Sequence, residues 1–378
     1  MNHLSGFSLL LLVGVWLPSP SHAEAPRLAD VLAQVRERTE LPSIACVVFR
    51  GDKVLEEAAV GVRKVGSKET VTLDDQYHIG SLTKSMTATL AAMEVQAGEI
   101  RWDSTVQQIL GPTIADIDGG YREVTLRQLL QHRGGVPHDP PGELWDALWR
   151  HGAQPAAANR AWFVAEILRR KPAQEAGRFA YSNTGYMIAG EMLETVTSRA
   201  WETVVRAKLC VPLGMKSAGF GAAASPGKID QPWGHVKGKP IPPGPQADNP
   251  PALGPAGTVH CSVRDLAKYA AFHLREGTGK PRLLDPAAFE ILHVPPPGEQ
   301  TDPYAMGWLR VPRDWAAGDA LTHNGSNTMN YAVIWLAPRR DFGLVVVTNE
   351  GRSEAAGALD QVAAAMVTKY CPPEKPSR

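Results

Sequence analysis

The chain has 378 residues, with 39 Lys and Arg side chains against 39 Asp and Glu, so its formal charge is zero. That balance argues against a nucleic-acid partner, which calls for a basic face. The length suits a fold of two lobes better than one small core.

Residues 1–23 have the pattern of a secretory leader. The apolar run 7–16 is too short to span a bilayer. Ser21-His22-Ala23 offers the small residues that a signal peptidase reads. No Lys or Arg precedes the run, so the α-amine is its positive end, and no cysteine follows closely enough for a lipid anchor. The expectation is a secreted or periplasmic protein with no transmembrane segment in its mature part. Cys46, Cys210, Cys261 and Cys371 would enter an oxidising compartment. They form no Cys-x-x-Cys pair and no zinc signature, and the sequence leaves all three full pairings open. Cys46 lies in a strand-like run and reads as a buried hydrophobe.

Leu28, Val31, Leu32 and Val35 follow the helical spacing i, i+3, i+4, i+7. Pro42 ends that helix. Residues 43–50 and 53–60 are strand-like, with Gly51-Asp52 as a tight turn between them. From Ser81 the pattern turns helical, with Leu82, Met86, Leu90 and Met93 as its apolar face and Gly98 as its stop. Helical pieces follow over 126–131, 145–150, 161–169, 184–196 and 201–208. Residues 226–255 are dense in Pro and Gly and read as a long loop, either the edge of a site or a surface excursion. A helix over 263–275 comes next, then strand-like runs over 304–311, 320–323, 330–336 and 343–348, then a helix over 354–369. This order fits an α+β fold. One antiparallel sheet is built from both chain ends (about 24–78 and 256–378), flanked by the N- and C-terminal helices, with a helical lobe (about 79–255) inserted.

Three motifs carry chemistry, in this order: Ser81-Leu82-Thr83-Lys84, Tyr181-Ser182-Asn183 and His323-Asn324-Gly325. A serine hydroxyl is a weak nucleophile and needs a neighbouring base. Positions i and i+3 share a helix face, which brings the Lys84 amine to the Ser81 hydroxyl. Two decoys fail this test. Ser225-Pro226-Gly227-Lys228 lies in the Pro/Gly stretch, where no helix aligns its ends, and Lys64-Val65-Gly66 precedes Ser81. Tyr181 and Asn183 are two apart, so in an extended turn both side chains face the same way. The competing reading makes Asn183 the cap of a helix starting at Thr184. Asn324-Gly325 between apolar runs is also a strong hairpin signal.

On these motifs, and on Tyr77-His78-Ile79-Gly80-Ser81, Leu129-Leu130-Gln131-His132, Pro212-Leu213-Gly214-Met215 and Asp265-Leu266-Ala267, the chain resembles the serine β-lactamase-related hydrolases of the class C β-lactamase and DD-peptidase type. The resemblance spans nearly all of the mature chain. It implies a site in a cleft between an α/β lobe and a helical lobe, with no cofactor or metal. Ser81 is then the acylated nucleophile. Lys84 or Tyr181 is the base, and the sequence leaves that choice open. Tyr181 passes a proton to the leaving group, Asn183 binds the acyl-side carbonyl and holds Lys84, and the backbone N–H groups of Ser81 and Ser326 form the oxyanion hole. Gly325 leaves room for substrate along the strand edge. His323 stands where most β-lactamases of this family carry Lys, and it is a weaker anchor for a substrate carboxylate. This disfavours β-lactams and favours an ester, a D-aminoacyl peptide or a peptidoglycan-like substrate. The alternative is a non-catalytic cell-wall or ligand-binding protein that keeps the fold. His132-Arg133-Gly134-Gly135 departs from the family's usual small hydroxylated residues after the histidine. Trp145, Trp149, Trp233 and Trp308 are candidates for a pocket wall or for core packing, whereas His138, His260 and His293 lack ligand spacing.

Overall fold

A computed structural model describes residues 25–151, 154–297, 303–351 and 353–372. The expected leader lies outside the described residues. Among them, no helix is long and apolar enough to cross a membrane.

Six strands form one antiparallel sheet: β1 (Ser43–Arg50), β2 (Lys53–Gly61), β3 (Leu309–Arg313), β4 (Gly318–Ser326), β5 (Tyr331–Ala337) and β6 (Phe342–Thr348). Their order is β2-β1-β6-β5-β4-β3, so strands from the two chain ends meet at β1 and β6. Ala45 stands opposite Val347 and Arg50 opposite Phe342. Gly51 takes a positive φ of 55°, as the tight β1–β2 turn requires. β1 and β6 are buried on both faces, which is why both read as unbroken apolar runs. Alternation then sorts their side chains. Ile44, Cys46, Val48, Leu344 and Val346 pack with helix α1 (Leu28–Thr39) and the C-terminal helix. Ala45, Val47, Phe49, Val345 and Val347 join the larger core on the opposite face.

Four further helices position the site: α2 (Thr83–Gln96), α3 (Gly142–Arg150), α4 (Asn183–Thr197) and α5 (Val263–Leu274); α6 (Ser353–Tyr370) closes the chain. The expected apolar stripe on α2 is only part of what that helix buries. Every residue from Thr83 to Glu94 is buried. Its polar groups are satisfied inside: the Thr87 hydroxyl donates to the Pro255 carbonyl at 2.7 Å, Thr89 to Ser85 at 2.8 Å, and Lys208 donates to Glu94 at 2.7 Å. A helix buried all round is a rigid mount for the residues at its start.

The expected strand over 304–311 begins only at Leu309. Gly307 has a φ of +73°, and a Cβ there would sit 2.4 Å from Ser85 Cα, so this segment bends to pack against α2. All four cysteines are free and buried, with no disulfide among them.

Candidate active site

Ser81 is delivered by a short strand and a single turn. Gln76–His78 pairs with Val259–Ser262 and is anchored through the Tyr77 hydroxyl, 3.1 Å from Ser43 Oγ. Ser81 then sits in the 3-10 turn Gly80–Leu82, two residues before α2 begins at Thr83. The Gly80 N–H donates to His78 Nδ1 at 3.0 Å. This turn touches the end of β4 at backbone distance. A Cβ on Gly325 would lie 2.1 Å from the Ile79 carbonyl oxygen and 2.6 Å from Ser81 N. A Cβ on Gly80, where φ is +51°, would lie 2.3 Å from Ser326 N. The two glycines therefore bring the Ser81 and Ser326 N–H groups to one place. This corrects the expected reason for Gly325: the space its missing side chain leaves is filled by the Ser81 turn, not by substrate.

Lys84 is fully buried. Its Nζ lies 3.0 Å from Ser81 Oγ, 2.6 Å from Asn183 Oδ1 and 2.7 Å from the Ala256 carbonyl oxygen. The Ala256 carbonyl belongs to the one-turn helix Gly254–Gly257, a contact that no sequence motif signals. The Tyr181 ring lies 5.0 Å from Nζ and that of Tyr186 5.6 Å.

Tyr181 and Asn183 thus both reach Lys84, while Ser182 between them points inward. Ser182, not Asn183, caps the following helix: its Oγ accepts from the Gly185 N–H at 2.8 Å and donates to the Pro137 carbonyl at 2.5 Å. The helix starts at Asn183 rather than Thr184. Asn183 uses its other end as well, donating from Nδ2 to Asp139 Oδ1 at 2.6 Å. Its amide is therefore committed at both ends.

His132 organises this corner. Its Nδ1 accepts from the Ser182 N–H at 3.0 Å, and its ring lies 4.2 Å from that of Tyr181. Burial, then the nearby Lys84, holds the imidazole well below its ordinary pKa, so it is neutral. The unusual Arg133-Gly134-Gly135 that follows clamps the Tyr181 segment. Arg133 donates to the Gly177 carbonyl at 2.9 Å, and Gly135 sits so close to Gln174 that a Cβ would meet its carbonyl oxygen at 2.4 Å.

His323 lies within β4 opposite Ile334, and Asn324 and Gly325 continue the strand opposite Val333 and Ala332. Asn324-Gly325 is therefore not the hairpin turn; residues 327–330 make it. The His323 imidazole is buried, with Nδ1 2.5 Å from the Asn324 carbonyl oxygen and Nε2 3.3 Å from the Tyr304 hydroxyl. Burial, then Lys84, pulls its pKa down to about 4. His323 Nδ1 faces a carbonyl oxygen and so carries the ring proton, which leaves Nε2 to accept from the Tyr304 phenol, itself held protonated by burial. The expectation of His323 as an anchor for a substrate carboxylate is corrected accordingly: the ring is turned inward and uncharged near neutral pH.

Ser81, Asn183 and Ser326 open onto a cleft of about 720 Å³. Asp139, Trp145, Asp146 and Trp149 line one side, and Gln246, Asp248 and Asn249 line another. The Pro/Gly-rich stretch is thus a wall of the cleft. It is held from behind by Arg160, fully buried, which donates to the Ala252 carbonyl at 3.0 Å and pairs with Glu194 at 2.9 Å and Glu202 at 3.0 Å. Trp308 instead packs in the core, and Trp233 lies under Lys64 away from the cleft.

Residues 28–368 match the family described as Beta-lactamase. The chain belongs to the beta-lactamase family. This is a family of serine hydrolases sharing one α+β fold. The chain is 28% identical over 345 residues to Penicillin-binding protein 4 of Amycolatopsis lactamdurans, covering 87% of this chain and 86% of that one. It is 24% identical over 339 residues to Unguisins hydrolase ungD' of Aspergillus campestris, covering 85% of this chain but only 61% of that longer relative. Its fold is similar to that of a class C beta lactamase from Rhodobacter sphaeroides, with a TM-score of 0.72 and 21% identity over 90% of this chain and 98% of that one.

Proposed function

We propose that this protein is a secreted or periplasmic serine hydrolase that works through an acyl-enzyme on Ser81. Its substrate is an ester or a D-aminoacyl amide, including peptidoglycan-like peptides, in preference to a β-lactam. The observation that carries this reading is the setting of Lys84. The Asn183 and Ala256 oxygens are acceptors only, and both take an N–H from Nζ. A neutral amine has two N–H bonds, so its lone pair is left for the third direction, toward Ser81 Oγ at 3.0 Å. In that form Lys84 takes the hydroxyl proton as Oγ bonds to the substrate carbonyl carbon. The carbonyl oxygen becomes an oxyanion facing the Ser81 and Ser326 N–H groups. As the tetrahedral species collapses, the proton passes to the leaving oxygen or nitrogen, directly or through Tyr181, whose ring lies 5.0 Å from Nζ. Water then attacks the ester carbonyl, gives a proton back toward Ser81 Oγ, and releases the acid.

The neutral His323 supports the substrate preference. A β-lactam, like any peptide that carries a free carboxylate beside the scissile bond, presents an anion that the third motif here meets with no positive charge, which favours esters and amides without one. The relative named a hydrolase supports turnover rather than binding alone. The test is p-nitrophenol release from short-chain p-nitrophenyl esters by the mature protein and by Ser81→Ala. A Ser81-dependent burst is the expected result. Equal release from both proteins, or none from either across acyl lengths and peptide substrates, would favour a non-catalytic binding protein.

A further inference from the structure

The turn that carries Ser81 spends its other backbone donors within the protein. The Ile79 N–H donates to the Val259 carbonyl at 3.0 Å, the Gly80 N–H to His78 Nδ1 at 3.0 Å and the Leu82 N–H to the Ile79 carbonyl at 3.2 Å. The Ser81 N–H remains to face an oxyanion. Its direction depends on Gly80, which stands at a φ of +51°. Glycine takes either sign of φ with little preference, so Gly80 does not hold that shape by itself. The bond to His78 Nδ1 pins its N–H, and the Thr83 N–H donates to its carbonyl. His78 is itself held from its far side. Its ring is buried, and Nε2 lies 2.6 Å from Asp248 Oδ1. Because Nδ1 accepts from Gly80, the proton of the neutral imidazole sits on Nε2, on the side of that oxygen. The same Oδ1 accepts the Asn249 N–H at 2.6 Å, and Asn249 Nδ2 donates to the Gly257 carbonyl at 3.0 Å. Residues 248–257 therefore reach the nucleophile by two routes. Asp248 acts through His78 on Gly80, and the Ala256 carbonyl holds Lys84.

We propose that His78, oriented by Asp248, is a positioning residue for the oxyanion hole: it fixes Gly80 so that the Ser81 N–H points at the developing oxyanion. This rests on the acyl-enzyme reading and adds to it a residue that no motif marks as functional. His78 acts through Gly80 and not on the reacting atoms. Its effect is felt where charge develops on the carbonyl oxygen, in the tetrahedral species of acylation and again in that of deacylation. Losing it therefore slows both steps and leaves ground-state binding of the substrate in place.

The experiment compares the native protein with His78→Asn and His78→Gln on one short-chain p-nitrophenyl ester, by single-turnover and steady-state kinetics, with urea unfolding of each. An Asn Oδ1 accepts the N–H two residues on, so His78→Asn keeps an acceptor for Gly80 and gives up Asp248. His78→Gln places its amide where Nε2 was, reaching Asp248 but not Gly80. His78→Gln is expected to lower the acylation and deacylation rate constants alike, by about thirtyfold, with the half-saturating ester concentration within about twofold of native. His78→Asn is expected to stay within about threefold of native in both steps, whatever its unfolding midpoint. Two variants equally impaired, two as fast as native, or a loss in ester binding alone would overturn the proposal and leave the acyl-enzyme intact. Should His78→Gln fail to fold, the native protein decides. Nitrogen NMR of the His78 ring at the same pH is expected to show a proton on Nε2 and none on Nδ1, and a proton on Nδ1 would overturn the proposal. The absence of any Ser81-dependent acyl-enzyme in the native protein would overturn the underlying reading as well.

Discussion

Acid should destabilise this protein through His323, by an amount the structure lets one work out. The folded imidazole is held near 4 against an ordinary value of 6.5. Burial is the larger cause and the Lys84 amine the smaller. Because the folded pKa is depressed, the unfolded chain binds the proton more readily between those values. Stability is therefore full above pH 6.5 and falls with pH through the window down to about 4. At about 1.36 kcal/mol per pH unit, the whole window is worth about 3 kcal/mol, and roughly 2 to 3 kcal/mol of it is lost by pH about 4.5. His323→Gln keeps a polar side chain and cannot titrate. Urea unfolding of both proteins at pH about 7 and about 4.5 isolates the contribution, since His132 and His273 are also held low by burial and remain in both. The variant is expected to lose roughly 2 to 3 kcal/mol less than the native protein on acidification. An equal loss in both proteins, or an imidazole NMR titration of His323 near 6.5, would refute the reasoning that this ring is boxed in neutral.

Gly325→Ala should abolish the burst with Ser81 still present, because its Cβ would enter the space of the Ile79 carbonyl oxygen at 2.1 Å and part the two N–H groups; burst amplitude and unfolding midpoint both read this. Tyr181→Phe keeps the ring over Lys84 and removes only the hydroxyl, so folding should be unchanged while turnover falls by about a hundredfold. Unchanged turnover would take Tyr181 out of the proton path. Arg160→Met leaves the Glu194 carboxylate buried without its cation, at a cost of about 3 to 5 kcal/mol measured by denaturant unfolding. A loss below about 1 kcal/mol would show that the wall behind Ala252 does not depend on that network.

Much of the sheet is readable from alternation and turn chemistry, because β1 and β6 are buried on both faces and the β1–β2 turn needs a residue tolerant of positive φ. The three motifs are readable because their chemistry needs particular residue types at short spacing. What escapes such reading depends on contacts far apart in sequence. The stripe on α2 says nothing of Thr87 and Glu94, whose burial is made possible by Pro255 and Lys208. Asp139 meets Asn183 across 44 residues, and Ala256 meets Lys84 across 172. Gly325 was open to a wrong explanation because a missing side chain does not say which neighbour fills its space. His323 has the right position in the strand, but a sequence cannot tell that its ring turns inward to Tyr304. The Ser182 cap was hidden behind a better-known asparagine.

The most direct measurement is the site of the covalent bond. The protein is mixed with an activated ester, quenched in acid within the burst, weighed intact and then mapped by peptide mass. One acyl group per chain, on the peptide that contains Ser81 and absent from Ser81→Ala, is the predicted result. An acyl group on another residue, or the same mass gain in Ser81→Ala, would contradict the account.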